Sequence, residues 1–348
     1  MLIAVDAMGG DHAPEAVVEG AVRAAREDGT GILLVGDHER LAGELDKLGA
    51  APETLETVHA SEVVGMADPP IAPLRQKRDS SIRVCGDLVR DGRAQALVSA
   101  GNTGAAMIVA KVVVGAIKGV DRPALAGVFP NPKGRTVVLD VGANVDTKPE
   151  QLREFAVMGH FYAQEVLRTP APRVGLLSIG SEEGKGDDVT RRVFEVMKST
   201  GLNFVGNVEG SDVFGGDLDV IVCDGFVGNA ILKSAESLVE FVAATLRGEL
   251  RRSWRARLGY VLAAPAFRAL RRKTDYAEYG AAPLLGVGGG CFIAHGHSNA
   301  KAIHSAIRRA VEFCSADLAD KIRDKVAELH AQEELLLRLD GPREIPAS

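Results

Sequence analysis

Along this chain, short runs of Val, Ile and Leu alternate with longer stretches in which apolar residues recur at helical spacing. Leu2–Val5, Ile32–Val35, Ala96–Val98, Ala124–Phe129, Thr136–Leu139, Val174–Leu177 and Val220–Cys223 read as strands. Their near-continuous apolar character is that of strands buried on both faces of a parallel sheet. Helical periodicity covers about 14–27, 37–48, 73–91, 103–118, 149–168, 187–199 and 227–249, with two further helices at about 298–314 and 316–338. The alternation predicts an α/β protein, a three-layer α/β/α fold with a largely parallel sheet. No repeat or low-complexity linker divides the chain. Residues 1–338 are therefore expected to form a single two-lobed domain, with 339–348 as a disordered tail.

Residues 250–275 depart from this pattern. Between Arg251 and Lys273 lie eight Arg or Lys and no Asp or Glu. Trp254, Leu258, Val261 and Leu262 form an apolar stripe, and Pro265 should end one short helix before Phe267 and Leu270 continue on another face. A basic helical hairpin results. Arg251, Arg252, Trp254, Arg255, Leu258, Phe267 and Arg271 are its candidate contacts. Three partners suit them: an anionic lipid surface, where each basic residue contributes about 1 kcal/mol, an acidic protein, or a dimer partner.

Charge and cysteine content narrow the classes. With 41 basic against 47 acidic residues the net charge is −6, which argues against a general nucleic-acid binder and makes any basic surface local. Cys85, Cys223, Cys291 and Cys314 are widely spaced, in neither a zinc pattern nor a disulfide framework, as suits a reducing cytoplasm. The opening segment lacks the basic region and cleavage site of a signal peptide, and no run of 18 uncharged apolar residues occurs, so a cytoplasmic protein is expected.

The candidate chemistry sits where strands end. Asp6 leads into Gly9, Gly10, Asp11 and His12, and Pro14 then suits a first helical turn, leaving backbone N–H groups to face an anion. The theme repeats in Ser99-Ala-Gly-Asn102-Thr103-Gly, Asp140-Val-Gly-Ala-Asn144 and Asp224-Gly-Phe-Val-Gly-Asn229. Gly and Asn are also ordinary turn formers, so one such loop says little. Four of them at the carboxyl edge of a parallel sheet are expected to converge on a ligand cleft. Gly288–Asn299 adds His295 and His297 ahead of a helix that Ser298 or Asn299 can cap. Two histidines without a third ligand do not make a metal site. Ser178–Gly186, with Lys185, resembles a phosphate loop but lacks the Walker spacing. No GxGxxG follows the first strand, and neither a GxSxG elbow nor a cysteine with an evident base is present, which disfavours a dinucleotide fold and a covalent acyl-enzyme.

Taken in order, IAVDAMGGDHAP, KRDSS, SAGNTGA, LDVGAN, CDGFVGNA and GGGCFIAHGHSNAKAI closely resemble the bacterial phosphate acyltransferases of phospholipid synthesis, from residue 1 to about 315. The resemblance implies a phosphate acetyltransferase-like fold, and transfer of a long-chain acyl group from acyl carrier protein to inorganic phosphate without metal or organic cofactor. It also implies a homodimer peripherally bound to the inner face of the cell membrane, handing acyl phosphate to a downstream glycerol-phosphate acyltransferase. Carried onto this sequence, the catalytic set is His12, Lys77, Asn102, Asn229 and His295. Gly9, Gly10, Asp11, Ser80, Ser99, Thr103, Asn144, Lys185, Asp224, His297, Ser298 and Asn299 would bind phosphate and thioester. Phosphate is already a competent nucleophile and a thioester an activated donor, so the protein need only orient them and stabilise the oxyanion. The rivals are an acyl-CoA-using phosphate acetyltransferase-like enzyme, a dehydrogenase on a related fold, and a non-catalytic membrane-binding scaffold.

Overall fold

The computed structural model describes residues 1–49, 51–274, 280–316 and 318–339; the expected tail, 340–348, lies outside them. Eleven strands among these residues share one sheet. They are β1 Leu2–Asp6, β2 Gly31–Gly36, β3 Leu55–His59, β4 Ala96–Ser99, β5 Ala124–Asn131, β6 Gly134–Leu139, β7 Val174–Leu177, β8 Phe204–Val208, β9 Val220–Val222, β10 Ala281–Leu285 and β11 Gly290–Ala294. Their spatial order is β3-β2-β1-β4-β11-β10-β5-β6-β9-β7-β8.

Alternation along the strands sends side chains to both faces, and both are covered. Ile3, Val5, Ile32 and Leu34 meet Val18, Val22, Ile303 and Ile307 of helices Glu15–Glu27 and Ala300–Cys314. On the opposite face Ala4, Leu33 and Leu97 pack with Ile82, Cys85 and Val109 of helices Ser81–Arg90 and Thr103–Val109, a core that continues to Val138 and Ile221. Leu139 and Val220 pack with Phe155, Met158, Phe194, Ile322 and Val326 from helices Pro149–Phe161, Asp188–Lys198 and Leu318–Leu339. The fold is the expected three-layer α/β/α arrangement.

The sheet is parallel in two blocks. β3, β2, β1, β4 and β11 run one way, and β6, β9, β7 and β8 are parallel to one another. Three antiparallel pairs, β11–β10, β10–β5 and β5–β6, separate the blocks. An odd number of reversals makes the blocks run in opposite directions, so their carboxyl ends lie at opposite edges of the sheet. The expected convergence of all strand-end loops within one chain therefore does not occur.

Several boundaries also differ from the sequence reading. The helix expected over 73–91 is two, Ala72–Arg75 and Ser81–Arg90, with Lys77–Ser80 in the turn between them. The helices expected at 103–118 and 149–168 continue as wider π-type turns, Ala110–Gly115 and Tyr162–Val166. Pro265 does not break its helix, which runs unbroken over Trp254–Thr274 after Gly225–Arg252 and the extended Ser253. The two short basic helices are thus one, because a proline ring removes one hydrogen bond and forces a kink rather than an end.

Candidate active site

At the first edge the residues gather around Asp6. This carboxylate, 2% exposed, accepts from Ser99 Oγ at 2.6 Å and Met8 N at 3.3 Å. Burial pushes its pKa above the ordinary carboxylate value, against the lowering effect of hydrogen bonds from Ser81, Ser99 and the backbone of Met8 and Gly9. It ties the end of β1 to the end of β4. The loop after β11 joins them where Asp11 N donates to Gly296 O at 2.8 Å. His297 Nδ1 lies 2.7 Å from Asp11 Oδ2. The His297 ring is 6.4 Å from that of His12 and 5.4 Å from that of His295, so three imidazoles line one rim.

Ser298 closes this side. Its residue is 3% exposed and its Oγ has no hydrogen-bond partner. Asn299 caps helix Ala300–Cys314 by accepting from Ala302 N at 3.0 Å, leaving the first N–H groups of the helix beside the Ser298 hydroxyl. A buried hydroxyl at a helix N-terminus is an arrangement that suits an oxyanion.

Lys77, Ser80, Asn102 and Thr103 belong to the same edge, though several are already occupied. Asn102 Oδ1 accepts from Ala105 N, and its Nδ2 donates to the carbonyls of Gly65, Met66 and Asp68 at 3.1–3.3 Å. Lys77 Nζ reaches Asp68 Oδ2 at 2.6 Å and Val63 O at 2.7 Å. The Lys77 ammonium and the amide of Gly65 hold the Asp68 carboxyl below its ordinary pKa. Ser80 Oγ donates to Lys77 O. Asn102 and Lys77 thus fasten the 63–68 segment over the site, and Met66 reaches the loop at Gly296.

The second edge repeats the plan with Asp140. It is fully buried and accepts from Leu125 N, Gly142 N and Ala143 N on one oxygen, and from Asn144 N and Nδ2 on the other, at 2.6–3.2 Å. Burial again raises the carboxyl pKa while these donors oppose it. Gly225 N donates to Asn144 O, and Asp224 caps helix Gly225–Arg252 at Val227 N. Gly228 packs so closely that an added Cβ would stand 1.9 Å from Asp140 O. Asn229 flanks Gly142, and Lys185 projects from the loop after β7.

Of the sequence-derived residues, Gly9, Gly10, Asp11, His12, Lys77, Ser80, Ser99, Asn102, Thr103, His295, His297, Ser298 and Asn299 therefore share one edge. Asn144, Lys185, Asp224 and Asn229 share the other. Sequence reasoning alone does not single out the organising carboxylates Asp6, Asp68 and Asp140 as site residues, although an Asp at the end of an apolar strand followed by glycine is a signal for two of them. Burial pushes every cysteine pKa up, Cys314 to about 11 and Cys291 to about 12, so none is a ready thiolate nucleophile. Among the described residues no group of three or more His, Cys, Asp or Glu is arranged to hold a metal ion.

Beyond the site, Trp254 is 71% exposed, and Leu258, Val261 and Leu262 are exposed with it. Leu238, Val239, Phe241 and Val242 on the preceding helix are exposed too. Arg255 stacks over the Trp254 ring at 5.6 Å. Arg251 and Arg252 end one helix, and Phe267 lies half-buried in the next. The backbone of Arg271 is in that helix, but its side chain lies outside the described ones.

Comparison with known proteins adds a family. The profile of the family described as Fatty acid synthesis protein matches residues 1–321. A phosphate acyltransferase of Pelotomaculum thermopropionicum is 50% identical over 332 residues, covering 95% of this chain and 97% of that protein. Another, of Syntrophotalea carbinolica, is 52% identical over 322 residues, covering 92% of this chain and 93% of its own. Among solved structures, a phosphotransacetylase from Streptococcus pyogenes superposes with a TM-score of 0.60 at 16% identity, over 90% of this chain and 94% of that one, a likeness of fold.

Proposed function

The chain belongs to the fatty acid synthesis protein family, and we propose that it moves a long-chain acyl group from acyl carrier protein to inorganic phosphate. It is a phosphate acyltransferase, as are its half-identical relatives. The product, acyl phosphate, is an activated donor suited to a downstream glycerol-phosphate acyltransferase in phospholipid synthesis.

The observation that carries the reading is the unpartnered Ser298 hydroxyl at a helix N-terminus beside His12, His295 and His297. Phosphate seated there meets helix N–H groups and the hydroxyl. One of its oxygens forms the bond to the thioester carbonyl carbon, and the tetrahedral oxyanion is stabilised by backbone N–H groups of the Gly9–His12 loop. The C–S bond then breaks, and His12 or His295 supplies the proton to the departing thiolate. Asn102 and Lys77 act by holding the 63–68 segment in place.

A homodimer fits the sheet topology. Lys185 and Asn229 stand at the opposite edge from His12, and a second copy is the natural means of presenting them to the first site. The exposed basic, apolar segment supports a peripheral position on the anionic inner face of the cell membrane, and equally contact with acidic carrier protein. No helix among the described residues is long and apolar enough to cross a membrane.

The deciding experiment incubates purified protein and phosphate with palmitoyl carrier protein or palmitoyl-CoA and traps acyl phosphate with hydroxylamine. Carrier-protein-dependent acyl phosphate is expected. Activity only with CoA would reassign the donor, and failure with every acyl thioester would overturn the reading. Charge reversal at Arg251, Arg252 and Arg255 should reduce cosedimentation with anionic vesicles in a salt-dependent way, and unchanged cosedimentation would remove the lipid contact.

A further inference from the structure

Beneath the loop that follows β7, two buried polar atoms have no hydrogen-bond partner, Ser178 Oγ and Asn207 Oδ1. Asn207 lies in β8 in register with Leu176 of β7, at 5% exposure. A buried strand position of this kind ordinarily takes an apolar side chain, and an amide with one end unsatisfied is costly there. The other end of the amide is engaged. Asn207 Nδ2 donates to Glu182 O at 2.9 Å, and the same carbonyl accepts from Lys185 N at 3.0 Å. The contact fixes the orientation of the amide, since turning it over would set its oxygen against a carbonyl.

The loop is built to be held from below. Gly186, at φ +99°, carries the chain back over Ser178 and Thr190, in a conformation that other residues rarely adopt. Lys185 is exposed, and among the described residues no carboxylate pairs with it, whereas Lys77 is neutralised by Asp68. Of the two site lysines, Lys185 is therefore the one whose charge is available to an anionic substrate.

We infer that Asn207 is a positioning residue for Lys185, clamping the Glu182–Lys185 turn through the shared Glu182 carbonyl so that the ammonium is presented at the second edge. The inference rests on the assignment of Lys185 to the substrate site. It explains why a buried strand carries an amide with an idle oxygen.

The test is a double-mutant cycle on the full-length enzyme with palmitoyl carrier protein and phosphate. Asn207→Leu removes the donor but fills the space; Lys185→Ala removes the charge. Expected are a fall in kcat/KM of at least about tenfold for N207L with its Tm within a few degrees of wild type, and a K185A/N207L double variant no worse than K185A. Hydrogen exchange at the Lys185 amide should be faster in N207L. A packing role alone would lower Tm and give additive losses, which would overturn the inference. Normal N207L activity beside impaired K185A would overturn the positioning role only; fully active K185A would remove Lys185 from the site and this inference with it. Should N207L not fold, Asn207→Ala deletes the same donor and carries the test.

Discussion

Glu154 lends itself to a quantitative test. It lies on helix Pro149–Phe161 with its side chain 4% exposed, accepting from Asp121 N at 2.9 Å and facing His330 Nε2 of the last helix at 3.6 Å. Burial raises its pKa from 4.5 to about 7; the carboxylates of Asp121 and Glu150 add to the rise, and the Asp121 N–H and Arg153 oppose it. The folded state thus holds this proton more tightly than the unfolded chain does. Its stabilising effect is complete below pH 4.5 and is lost as the pH climbs through 7. Between about pH 5.5 and pH 8 the two values imply a loss of about 2 kcal/mol from this group. Glu154→Gln keeps an acceptor for Asp121 N and cannot ionise. Urea denaturation of both proteins at the two pH values measures the difference: E154Q should lose about 2 kcal/mol less than wild type on going to pH 8. Equal pH slopes would refute the reasoning, and because Asp6 and Asp140 titrate in both proteins, their contributions cancel.

Gly228→Ala must push helix Gly225–Arg252 off Asp140 O, since the new Cβ would start 1.9 Å away. A destabilisation of about 3 kcal/mol with loss of activity is expected, and an unchanged urea midpoint would contradict the close packing. Ser99→Ala deletes the 2.6 Å donor to Asp6 and should cost about 1–3 kcal/mol. Because that bond holds the Asp6 pKa down, the deficit should grow as the pH rises; a deficit that shrinks towards pH 8 would reverse the assigned sign. Lys77→Met should let the Asp68 carboxyl return towards its ordinary pKa and speed hydrogen exchange over residues 63–68, with a matching fall in activity. Unaltered exchange there would separate Lys77 from the fastening of that segment.

Much of this was legible in the sequence because buried parallel strands are written as apolar runs and their ends as Asp, Gly and Asn. What escaped depended on distant contacts. Strand β3, LETVH, sits at an edge and is half polar, so it has little apolar signature. Strand β10, AAPLL, contains Pro283, which argues against a strand. The proline is accommodated because β10 pairs with β11 through Ala281, Ala282 and Pro283, and with β5 only from Leu284 onward. The two reversals at β10 cancel, so the opposite sense of the two blocks comes from the tight β5–β6 hairpin, whose connection between Asn131 and Gly134 is too short for a parallel crossover. Pro265 misleads in the opposite direction: the local rule predicts an end, and the long helix continues through it. The roles of Asn102 and Lys77 were also out of reach, because their partners lie 9 to 37 residues away in segment 63–68.

Helix Gly225–Arg252 has a mechanical consequence. Its root is wedged against Asp140 at Gly225 and Gly228, with Ile231, Leu232 and Ala235 resting on the core. From Leu238 to Val242 its large apolar residues face solvent, with only Leu246 and Leu250 half-buried beyond them, and the last 15 residues form a cantilever of about 22 Å. A tilt of about 10° about that fulcrum sweeps the tip by roughly 4 Å, and the same tilt at the root displaces Asn229 by only a fraction of an ångström. A load applied at Arg251 and Arg252 therefore reaches the second edge geared down, as a fine adjustment of the cap at Asp224.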